Sequence, residues 1–504
     1  MMASTDRYDI VIRGGTVHDG SGEPGRVADV GIRGDRIVAV ETIAARGATE
    51  LDATGLAVSP GFIDVHTHDD FAVLLEPEMS FKVMQGVTTD VVGNCGSGVV
   101  PYEAGVTRFS RLHPGASPAR WDGYAGYLER VEEARPSLNV AVLAGHGTLR
   151  AGAMGMAQRE PDAAELGKMR AWVREAVAAG AVGLSTGLIY EPGRYALTEE
   201  IIALARELGG PAGGLYATHM RNEADGLLDA VREAVRIGEE AGVPVQISHH
   251  KASGRNNWGR VRDSLRLIEE ARARGVDVTA DQYPYTAGST SFAAVVQNGA
   301  FRSDSPGGLG QLSAAEVLIA SAPKHPEWEG RRLDELARSW DVPAEQASER
   351  ILAGEGEACF VVLFTMDEAD IRTVLAHPTT MIGSDGVPAG GKPHPRLYGC
   401  FARILGHYVR EAPVLDLATA IHRMTGMPAA KFQLIDRGAV RSGAFADLVV
   451  FDPARIADIA TYDDPRRFPT GIRAVYVNGT EVARDGRHTG ARPGRACRRG
   501  RSSG

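Results

Sequence analysis

The chain has 504 residues, with 55 Lys and Arg against 64 Asp and Glu, and its formal net charge is −9. This charge argues against a dedicated nucleic-acid-binding protein, because such proteins are normally basic. With only four cysteines, a disulfide framework is excluded and a reducing compartment is expected. No apolar run reaches about 18 residues and no signal peptide is visible, so we predict a cytoplasmic protein without a membrane partner.

The two ends of the chain resemble each other. Residues 11–20 and 475–486 each show a strand pattern, a glycine turn and a second strand pattern. Two unrelated hairpins would explain this similarity. The alternative, which we adopt, is one small β-sandwich domain formed by residues 7–58 and 436–490, with a large domain inserted between them.

The middle of the chain alternates short apolar runs with amphipathic helical patterns, such as the one at residues 225–241. The apolar runs lie at residues 62–65, 88–92, 140–144, 182–185, 215–218, 245–248, 276–280 and 380–383. Successive β-α units of this kind predict an α/β fold that closes as a (β/α)8, TIM-like barrel. We assign this barrel to residues 59–435.

Two segments depart from the barrel rhythm. The stretch between Asp281 and Asp385 is far longer than one helix needs. Long insertions are often functional, so we expect residues 286–350 to cover the active site. The last segment, residues 491–504, is rich in Arg and Gly and is predicted to be a disordered, solvated tail.

The strongest chemical signal is Pro-Gly-Phe-Ile-Asp-Val-His-Thr-His at residues 60–68. Alternate side chains of a strand share one face, so His66 and His68 should point the same way. Two imidazoles at the carboxyl end of a barrel strand favour a metal-chelating pair. Paired core histidines that bond to the backbone are the simpler alternative.

Other predicted strands also end in residues that can bind a metal: Cys95, His219, His249 and Asp385. The carboxyl ends of the strands meet at one rim of a barrel, which is where active sites lie. A lone Cys95 or His219 would most simply be a core residue. Together, the imidazoles and the thiolate favour zinc over magnesium or calcium. We expect His250, the neighbour of His249, to turn away from the rim.

These motifs resemble the amidohydrolase superfamily, and more specifically its N-acyl-D-amino-acid deacylases, or D-aminoacylases. Besides residues 60–68, the similar segments are Gly-Asn-Cys-Gly (93–96), Ala-Thr-His-Met-Arg-Asn-Glu (217–223), Ile-Ser-His-His-Lys (247–251), Asp-Gln-Tyr-Pro-Tyr (281–285) and His-Pro-Arg-Leu-Tyr-Gly (394–399). The resemblance extends from about residue 9 to residue 487. It implies a zinc-dependent enzyme that hydrolyses an N-acyl-D-amino acid to a carboxylate and the free D-amino acid.

The resemblance also implies roles for the metal-binding residues. Cys95, His219 and His249 would hold a tight zinc ion, and His66, His68 and Asp385 would form a second, weaker position. Asp385 would be the general acid/base. Many amidohydrolases place a carboxylated lysine after the fourth strand, but residues 183–187 contain no lysine. In D-aminoacylases a cysteine after the second strand takes that structural role, and Cys95 has this position.

The product carries an α-carboxylate, which needs a cation in the active site. Arg396 is our first candidate, because a guanidinium can bind both carboxylate oxygens, and Lys251 is the second. The family pattern adds Tyr190 and Ser289. A surface or turn role is the alternative for each of these residues. His146, at the end of the third strand, is expected in the pocket or directly behind it.

Two other functions stay open at this point. One is hydrolysis of a cyclic amide or a dipeptide by another branch of the superfamily, which the missing lysine and Cys95 disfavour. The other is a non-catalytic relative, which the complete set of ligand positions disfavours. We expect a hydrophobic D-amino-acid side chain, since the cation that could bind an acidic one, Arg302, has apolar neighbours. These neighbours are Phe292, Val295, Val296 and Phe301. No oligomeric state is predicted.

Overall fold

The structure is a computed structural model that describes residues 8–113, 115–116, 118–209, 213–297, 300–301 and 309–501. Two large sheets dominate this part of the chain. One is a mixed sheet to which both ends of the chain contribute, and the other is a parallel sheet of eight strands from the middle.

The mixed sheet begins with the N-terminal strands β1 (Tyr8–Val17), β2 (Arg26–Arg33), β3 (Arg36–Glu41), β4 (Gly47–Asp52) and β5 (Ala57–Pro60). β1 pairs antiparallel with β2 and parallel with β4 and β5. In β2, Val30 and Ile32 are buried and Arg33 is exposed. This alternation is typical of a strand with one face on a core.

The barrel strands follow: β6 (Phe62–Asp64), β7 (Val87–Val92), β8 (Asn139–Gly145), β9 (Gly183–Gly187), β10 (Leu215–His219), β11 (Val245–Ile247) and β12 (Val278–Gln282). The eighth barrel strand, Thr380–Ile382, pairs with β12. Every residue of these strands is buried, because helices cover the outside of the parallel sheet. Each predicted apolar run overlaps one of these strands, so the predicted (β/α)8 barrel is confirmed.

Contacts just beyond the strand ends close the barrel. The backbone N–H of Asp385 donates to the carbonyl of His66 at 2.8 Å, and that of His68 donates to the carbonyl of Gly386 at 3.0 Å. The first and last strands therefore meet at the carboxyl-terminal rim, where the candidate metal ligands lie.

Helices surround the barrel and connect its strands. They span Ala72–Leu75, Ser80–Val83, Tyr102–Phe109, Gly123–Ala134, His146–Met154, Ala163–Ala179, Thr198–Ala205, Leu227–Ala241, Val261–Ala273, Glu368–Ala376, Arg396–Arg403, Leu417–Met424 and Gly426–Lys431, with a π-helical segment at Ile404–Glu411. In Leu227–Ala241 the apolar stripe of Leu227, Val231 and Ile237 is buried. No helix in the described part of the chain is long and apolar enough to cross a membrane.

The insertion between β12 and the last barrel strand forms a small unit of its own. It contains β13 (Gly288–Ser291), β14 (Val296–Gln297), β15 (Ala300–Phe301), β16 (Val317–Ser321), β17 (Phe360–Leu363) and the helices Leu333–Trp340 and Ala344–Glu355. Phe292, Val295 and Phe301 are buried in its core. The expectation of a hydrophobic substrate side chain stays a prediction. Arg302 lies outside the described residues.

After β18 (Thr380–Ile382), the chain returns to the mixed sheet with β19 (Leu448–Phe451), β20 (Ile472–Val477), β21 (Thr480–Arg484) and β22 (Arg487–His488). β19 pairs antiparallel with β5 and so joins the two ends of the chain. We therefore propose a small domain of residues 7–58 and 436–490 and a barrel of residues 59–435, with the insertion at 286–350 covering its rim.

The C-terminal segment packs against the barrel. The N–H of Val140 donates to the carbonyl of Arg495 at 2.9 Å, and the N–H of Cys497 donates to the carbonyl of Val140 at 2.7 Å. Ala496 and Cys497 are buried. The prediction of a disordered tail is wrong for these residues, because backbone pairing with β8 outweighs the solubility of the flanking arginines.

Candidate metal centre and active site

The rim of the barrel collects side chains from several strand ends. These side chains are His66 and His68 after β6, Cys95 after β7, His219 at the end of β10, His249 after β11 and Asp385 after β18. His68, with 15% of its side chain exposed, is the most accessible of these residues.

The imidazole of His66 lies at the centre of this cluster. Its Nε2 is 3.2 Å from the Sγ of Cys95 and 3.4 Å from the Oδ1 of Asp385. The Cys95 Sγ is also 3.5 Å from the Nε2 of His249. The ligand atoms of His66, Cys95, His249 and Asp385 all lie within 4.8 Å of one another. These four residues are therefore close enough to contact a shared metal ion.

His219 belongs to a second group that overlaps the first. Its ligand atom lies within 4.8 Å of those of Glu223 and His249. Among the described residues, neither ring nitrogen of His219 has a hydrogen-bond partner, although the ring is buried. Buried polar atoms are normally paired. The donor set and these unpaired nitrogens fit a bound metal ion.

The carboxylate of Asp385 lies between two kinds of cationic side chain. Its Oδ1 is 3.1 Å from the Nε2 of His68. Its Oδ2 is 2.9 Å from the Nη2 of Arg396. Asp385 therefore links the histidine cluster to the candidate carboxylate-binding residue.

The backbones of Cys95, His249 and Asp385 adopt left-handed φ values of 52°, 36° and 49°. Such conformations cost about 1–3 kcal/mol each and concentrate at active sites. The loop that carries Cys95 also packs closely against the end of β9. A Cβ at Gly96 would lie only 2.7 Å from the backbone nitrogen of Gly187. The strand ends thus turn sharply at the positions that present these side chains.

His250 is directed away from the rim, as strand alternation predicts. Its Nε2 lies 2.8 Å from the Oγ of Ser264, on the helix Val261–Ala273. Burial lowers the pKa of His250 to about 4, so the ring is neutral in the folded protein. His249 is therefore the member of this pair that faces the cluster.

Two acidic residues that the sequence analysis did not single out hold the histidines in place. Asp281 accepts a hydrogen bond from the backbone N–H of His249 at 2.8 Å and lies 3.1 Å from the Nδ1 of His66. Glu223 lies 3.0 Å from the Nδ1 of His249. Carboxylates that contact the second ring nitrogen of a metal-binding histidine fix the orientation of its ring. Both residues lie in the segments that resemble the D-aminoacylases, 217–223 and 281–285. This resemblance is the sequence feature that could have identified them.

Buried charges shift the pKa values of the cluster. Burial raises the pKa of the Cys95 thiol, but the charge of His66 outweighs it and holds this pKa well below its ordinary value. Burial also raises the pKa of Asp385, but the charge of Arg396 opposes this effect, and the net result is a pKa well below the ordinary value. Burial lowers the pKa of His68, but the anions beside it raise it to about 9. The site thus stabilises a thiolate and a carboxylate, which suit a divalent cation.

Arg396 begins the helix Arg396–Arg403 and is fully buried. Its Nη2 donates to the carbonyl of Ser289 at 3.3 Å, and its guanidinium carbon lies 4.4 Å from the ring centre of Tyr283. Within the described residues, Nε and Nη1 of Arg396 have no hydrogen-bond partner. These two groups therefore remain able to donate hydrogen bonds to a bound anion.

Two other predicted substrate contacts, Tyr190 and Lys251, lie beside the histidine cluster. The hydroxyl of Tyr190 is 3.2 Å from the Oγ1 of Thr290, and its ring packs on His219 with centres 4.8 Å apart. The ammonium of Lys251 donates to Glu223 at 2.6 Å. The structure therefore brings Tyr190 against His219, and it places the ammonium of Lys251 beside both Glu223 and the Nδ1 of His249, which is 2.9 Å away.

His146 is part of a separate buried network. Its Nε2 lies 2.8 Å from Glu200, which also pairs with Arg150. A Cβ at Gly193 would lie 3.7 Å from the Nδ1 of His146, so the ring packs beneath the loop that follows β9. That loop carries Tyr190.

A model of the amidohydrolase family matches residues 49–483, which is most of the chain. The chain belongs to the amidohydrolase family. This amidohydrolase is 44% identical over 496 residues to the D-aminoacylase of Alcaligenes xylosoxydans xylosoxydans, and the match covers 98% of each chain. It is also 42% identical to the N-acyl-D-aspartate deacylase of the same organism, over 96% of this chain and 94% of that protein.

A solved structure supports the same placement. It is the N-acyl-D-glutamate deacylase from Bordetella bronchiseptica, complexed with zinc and a phosphonate inhibitor that mimics the tetrahedral intermediate of the reaction. The similarity has a TM-score of 0.89 at 40% identity and covers 98% of this chain and 100% of that chain. The predicted membership of the N-acyl-D-amino-acid deacylase branch is confirmed, and the protein is a hydrolase.

Proposed function

We propose that this amidohydrolase catalyses the zinc-dependent hydrolysis of N-acyl-D-amino acids to a carboxylate and the free D-amino acid. The observation that carries this proposal is the position of Asp385 between the rim histidines and Arg396. A substrate with an amide next to an α-carboxylate would span these two groups. The full-length similarity to deacylases of N-acyl-D-amino acids supports the same substrate class.

The rim residues would hold metal at two positions. We assign a tight zinc ion to Cys95, His219 and His249, and a weaker second ion to His66, His68 and Asp385. A thiolate with imidazoles is a typical zinc ligand set, and three protein ligands leave a coordination position open. When bound, zinc would polarise the substrate carbonyl and lower the pKa of a water molecule at that position. The unpaired ring nitrogens of His219 support the first assignment.

Asp385 would move the proton. Because Arg396 holds its pKa below the ordinary range, the carboxylate is ionised at neutral pH and can accept a proton from the attacking water. The same group would then give that proton to the departing amine nitrogen, since an amine leaves poorly without one. The contact at 3.1 Å between its Oδ1 and His68 orients the carboxylate toward the rim.

Arg396 would bind the α-carboxylate through the Nε and Nη1 groups that lack a partner among the described residues. Ser289 and Tyr190 would complete this subsite. Lys251 would add positive charge beside Glu223 and His249. We propose that His146 acts behind the pocket, where it supports the loop that carries Tyr190.

The test combines metal analysis with a stereochemical assay. The purified protein should retain zinc through gel filtration and should hydrolyse N-acetyl-D-methionine in preference to the L-isomer. N-acetyl-D-glutamate and N-acetyl-D-aspartate, assayed in parallel, will define the side-chain preference. A preference for the L-isomer or for a cyclic amide would overturn the proposed substrate class, and the absence of any hydrolysis would overturn the catalytic role.

A further inference from the structure

A buried lysine lies behind the rim, and the proposed reaction does not use it. Lys82, on the helix Ser80–Val83, is 0% exposed. Its Nζ lies 2.6 Å from the Oδ2 of Asp64, 2.9 Å from the Oγ of Ser384 and 3.2 Å from Asp69. A buried charge is costly unless it is paired, and two carboxylates and a hydroxyl surround this ammonium.

Two partners of Lys82 lie at the carboxyl ends of the first and last barrel strands, which meet where the barrel closes. Asp64 is the last residue of β6, just before His66, and Ser384 directly precedes Asp385. The Oδ1 of Asp64 accepts hydrogen bonds from the backbone N–H of His66 at 3.2 Å and of Ser384 at 2.8 Å. One carboxylate, held by Lys82, therefore fixes the first and last strands relative to each other.

Ser384 extends this network to the far side of Asp385. Its hydroxyl donates to the Oδ2 of Asp64 at 2.5 Å and accepts from the backbone N–H of Gly386 at 3.0 Å. Both neighbours of Asp385 are thus held, while Asp385 itself has a left-handed φ of 49°. A strained backbone of this kind persists only where the surroundings hold it.

The absence of a side chain at Gly386 leaves space for the Lys82 ammonium beside the turn at Asp385. A Cβ at Gly386 would lie 3.1 Å from the Nζ of Lys82, so glycine leaves room for the charge beside the turn. The Lys82 contacts therefore act on the backbone that carries Asp385.

We propose that Lys82, acting through Asp64 and Ser384, is a positioning residue that holds Asp385 in its catalytic orientation. This inference rests on the proton-transfer role proposed above for Asp385. Without the ammonium, the buried carboxylates of Asp64 and Asp69 would repel each other. The turn at Asp385 would then lose the contacts that hold it through Asp64 and Ser384.

Variants at Ser384 test the proposal without removing a buried charge. Ser384→Ala deletes the hydroxyl that connects Lys82 to Gly386, and Ser384→Thr keeps a hydroxyl. In Ser384→Ala we expect kcat for N-acetyl-D-methionine to fall by roughly 10- to 100-fold, because small misplacements of a reacting group have effects of this size. KM and zinc content should stay near the wild-type values, and Ser384→Thr should recover part of the lost kcat.

Lys82→Met removes the ammonium, and Lys431→Met is its matched control. The side chain of Lys431 is also buried, with 5% exposure, and pairs with Asp277 at 2.9 Å. Asp277 precedes β12, so this pair lies at the opposite end of the barrel from the rim. Lys82→Met should lower kcat at nearly constant KM, whereas Lys431→Met should keep the wild-type kcat.

Hydrogen exchange supplies a readout that does not depend on turnover. In zinc-loaded Ser384→Ala, the amides of residues 384–386 should exchange faster than in the wild-type protein and in Lys431→Met. Wild-type kcat together with wild-type exchange in Ser384→Ala would overturn the positioning role, even if Lys82→Met fails to fold. A wild-type protein that lacks deacylase activity, with fast exchange in Ser384→Ala, would instead overturn the proposed function and support the anchor.

Discussion

The two ends of the barrel bury charge in different ways. At the carboxyl-terminal rim, among the described residues, both ring nitrogens of His219 and two guanidinium nitrogens of Arg396 lack partners. At the other end, Lys431 pairs with Asp277, and Arg437 pairs with Asp447. In a parallel barrel the carboxyl-terminal rim serves binding and catalysis, whereas the opposite end serves stability. Variants at the rim should therefore lose activity, and variants at the other end should lose stability.

The largest effect is expected for Cys95→Ala. An open zinc site needs its three protein ligands, so the tight zinc and the activity should be lost together. Zinc analysis of the purified variant is the measurement, and Cys359→Ala, in the core of the insertion, is the control that should keep its zinc. Full zinc occupancy with normal turnover in Cys95→Ala would remove this residue from the ligand set.

Asp385→Asn should retain most of the metal and lower kcat by about 10²–10⁴-fold, which is the usual contribution of a general acid/base. The physical reason is that an amide cannot accept the proton of the attacking water. Steady-state kinetics on N-acetyl-D-methionine, with zinc analysis of the same sample, will measure this effect. If kcat stays within about tenfold of the wild type, another group transfers the proton.

Arg396→Met should act on substrate binding more than on metal content. A buried carboxylate without its cation costs roughly 3–5 kcal/mol, and this loss should appear mainly as a higher KM. With the carbonyl and the α-carboxylate no longer fixed together, discrimination between D- and L-substrates should also weaken. Kinetics on both isomers are the measurement, and an unchanged kcat/KM for the D-substrate would exclude Arg396 from the carboxylate subsite.

Arg437→Met tests the stabilising end of the barrel. Arg437 pairs with buried Asp447, which also accepts a hydrogen bond from the backbone N–H of Asn478 at 2.7 Å. Removing the cation should lower the free energy of unfolding by roughly 3–5 kcal/mol, because a buried charge loses its partner. Denaturant unfolding measures this change, and the folded fraction should keep wild-type kcat. A loss of kcat at full stability would contradict the division between the two ends.

The smallest effect concerns the pH dependence of stability. Burial lowers the pKa of Lys431 to about 8 from its ordinary 10.5. Between these values the unfolded chain binds more protons than the folded one, so this residue makes stability rise with pH in that window. Lys431→Met should flatten the slope of the unfolding free energy against pH above about pH 8. An identical slope in both proteins would show that Lys431 keeps its ordinary pKa.

Much of the barrel could be predicted from sequence because its strands are buried on both faces. The run at residues 140–144 is continuously apolar and lies in a barrel strand, and the run at 245–248, which contains Gln246, also overlaps one. Candidate ligands such as His66 and Cys95 were visible because each lies within three residues of the end of a strand. Their meeting at one rim could also be predicted, since the carboxyl ends of all strands in a parallel barrel lie on the same side.

The parts that were missed depend on contacts between residues far apart in the chain. Asp281 and Glu223 act by holding the rings of other residues, and local sequence does not show such pairing. In the sequence, Lys82 cannot be told from a surface lysine, because its burial depends on contacts with Asp64 and Ser384, which only the fold brings near. The apolar residues Phe292 and Phe301 fill the core of the insertion, because this unit must bury its own small sheet.

The pairing of β5 with β19 also constrains how the chain folds during synthesis. Domains form from the N-terminus as the chain emerges, but β5 lacks one neighbour until Leu448–Phe451 has been made. During translation of the whole barrel, β5 is an unpaired strand edge, the kind of surface that pairs with other chains. Nascent chains that stall before β19 should therefore be the species that need protection by a chaperone.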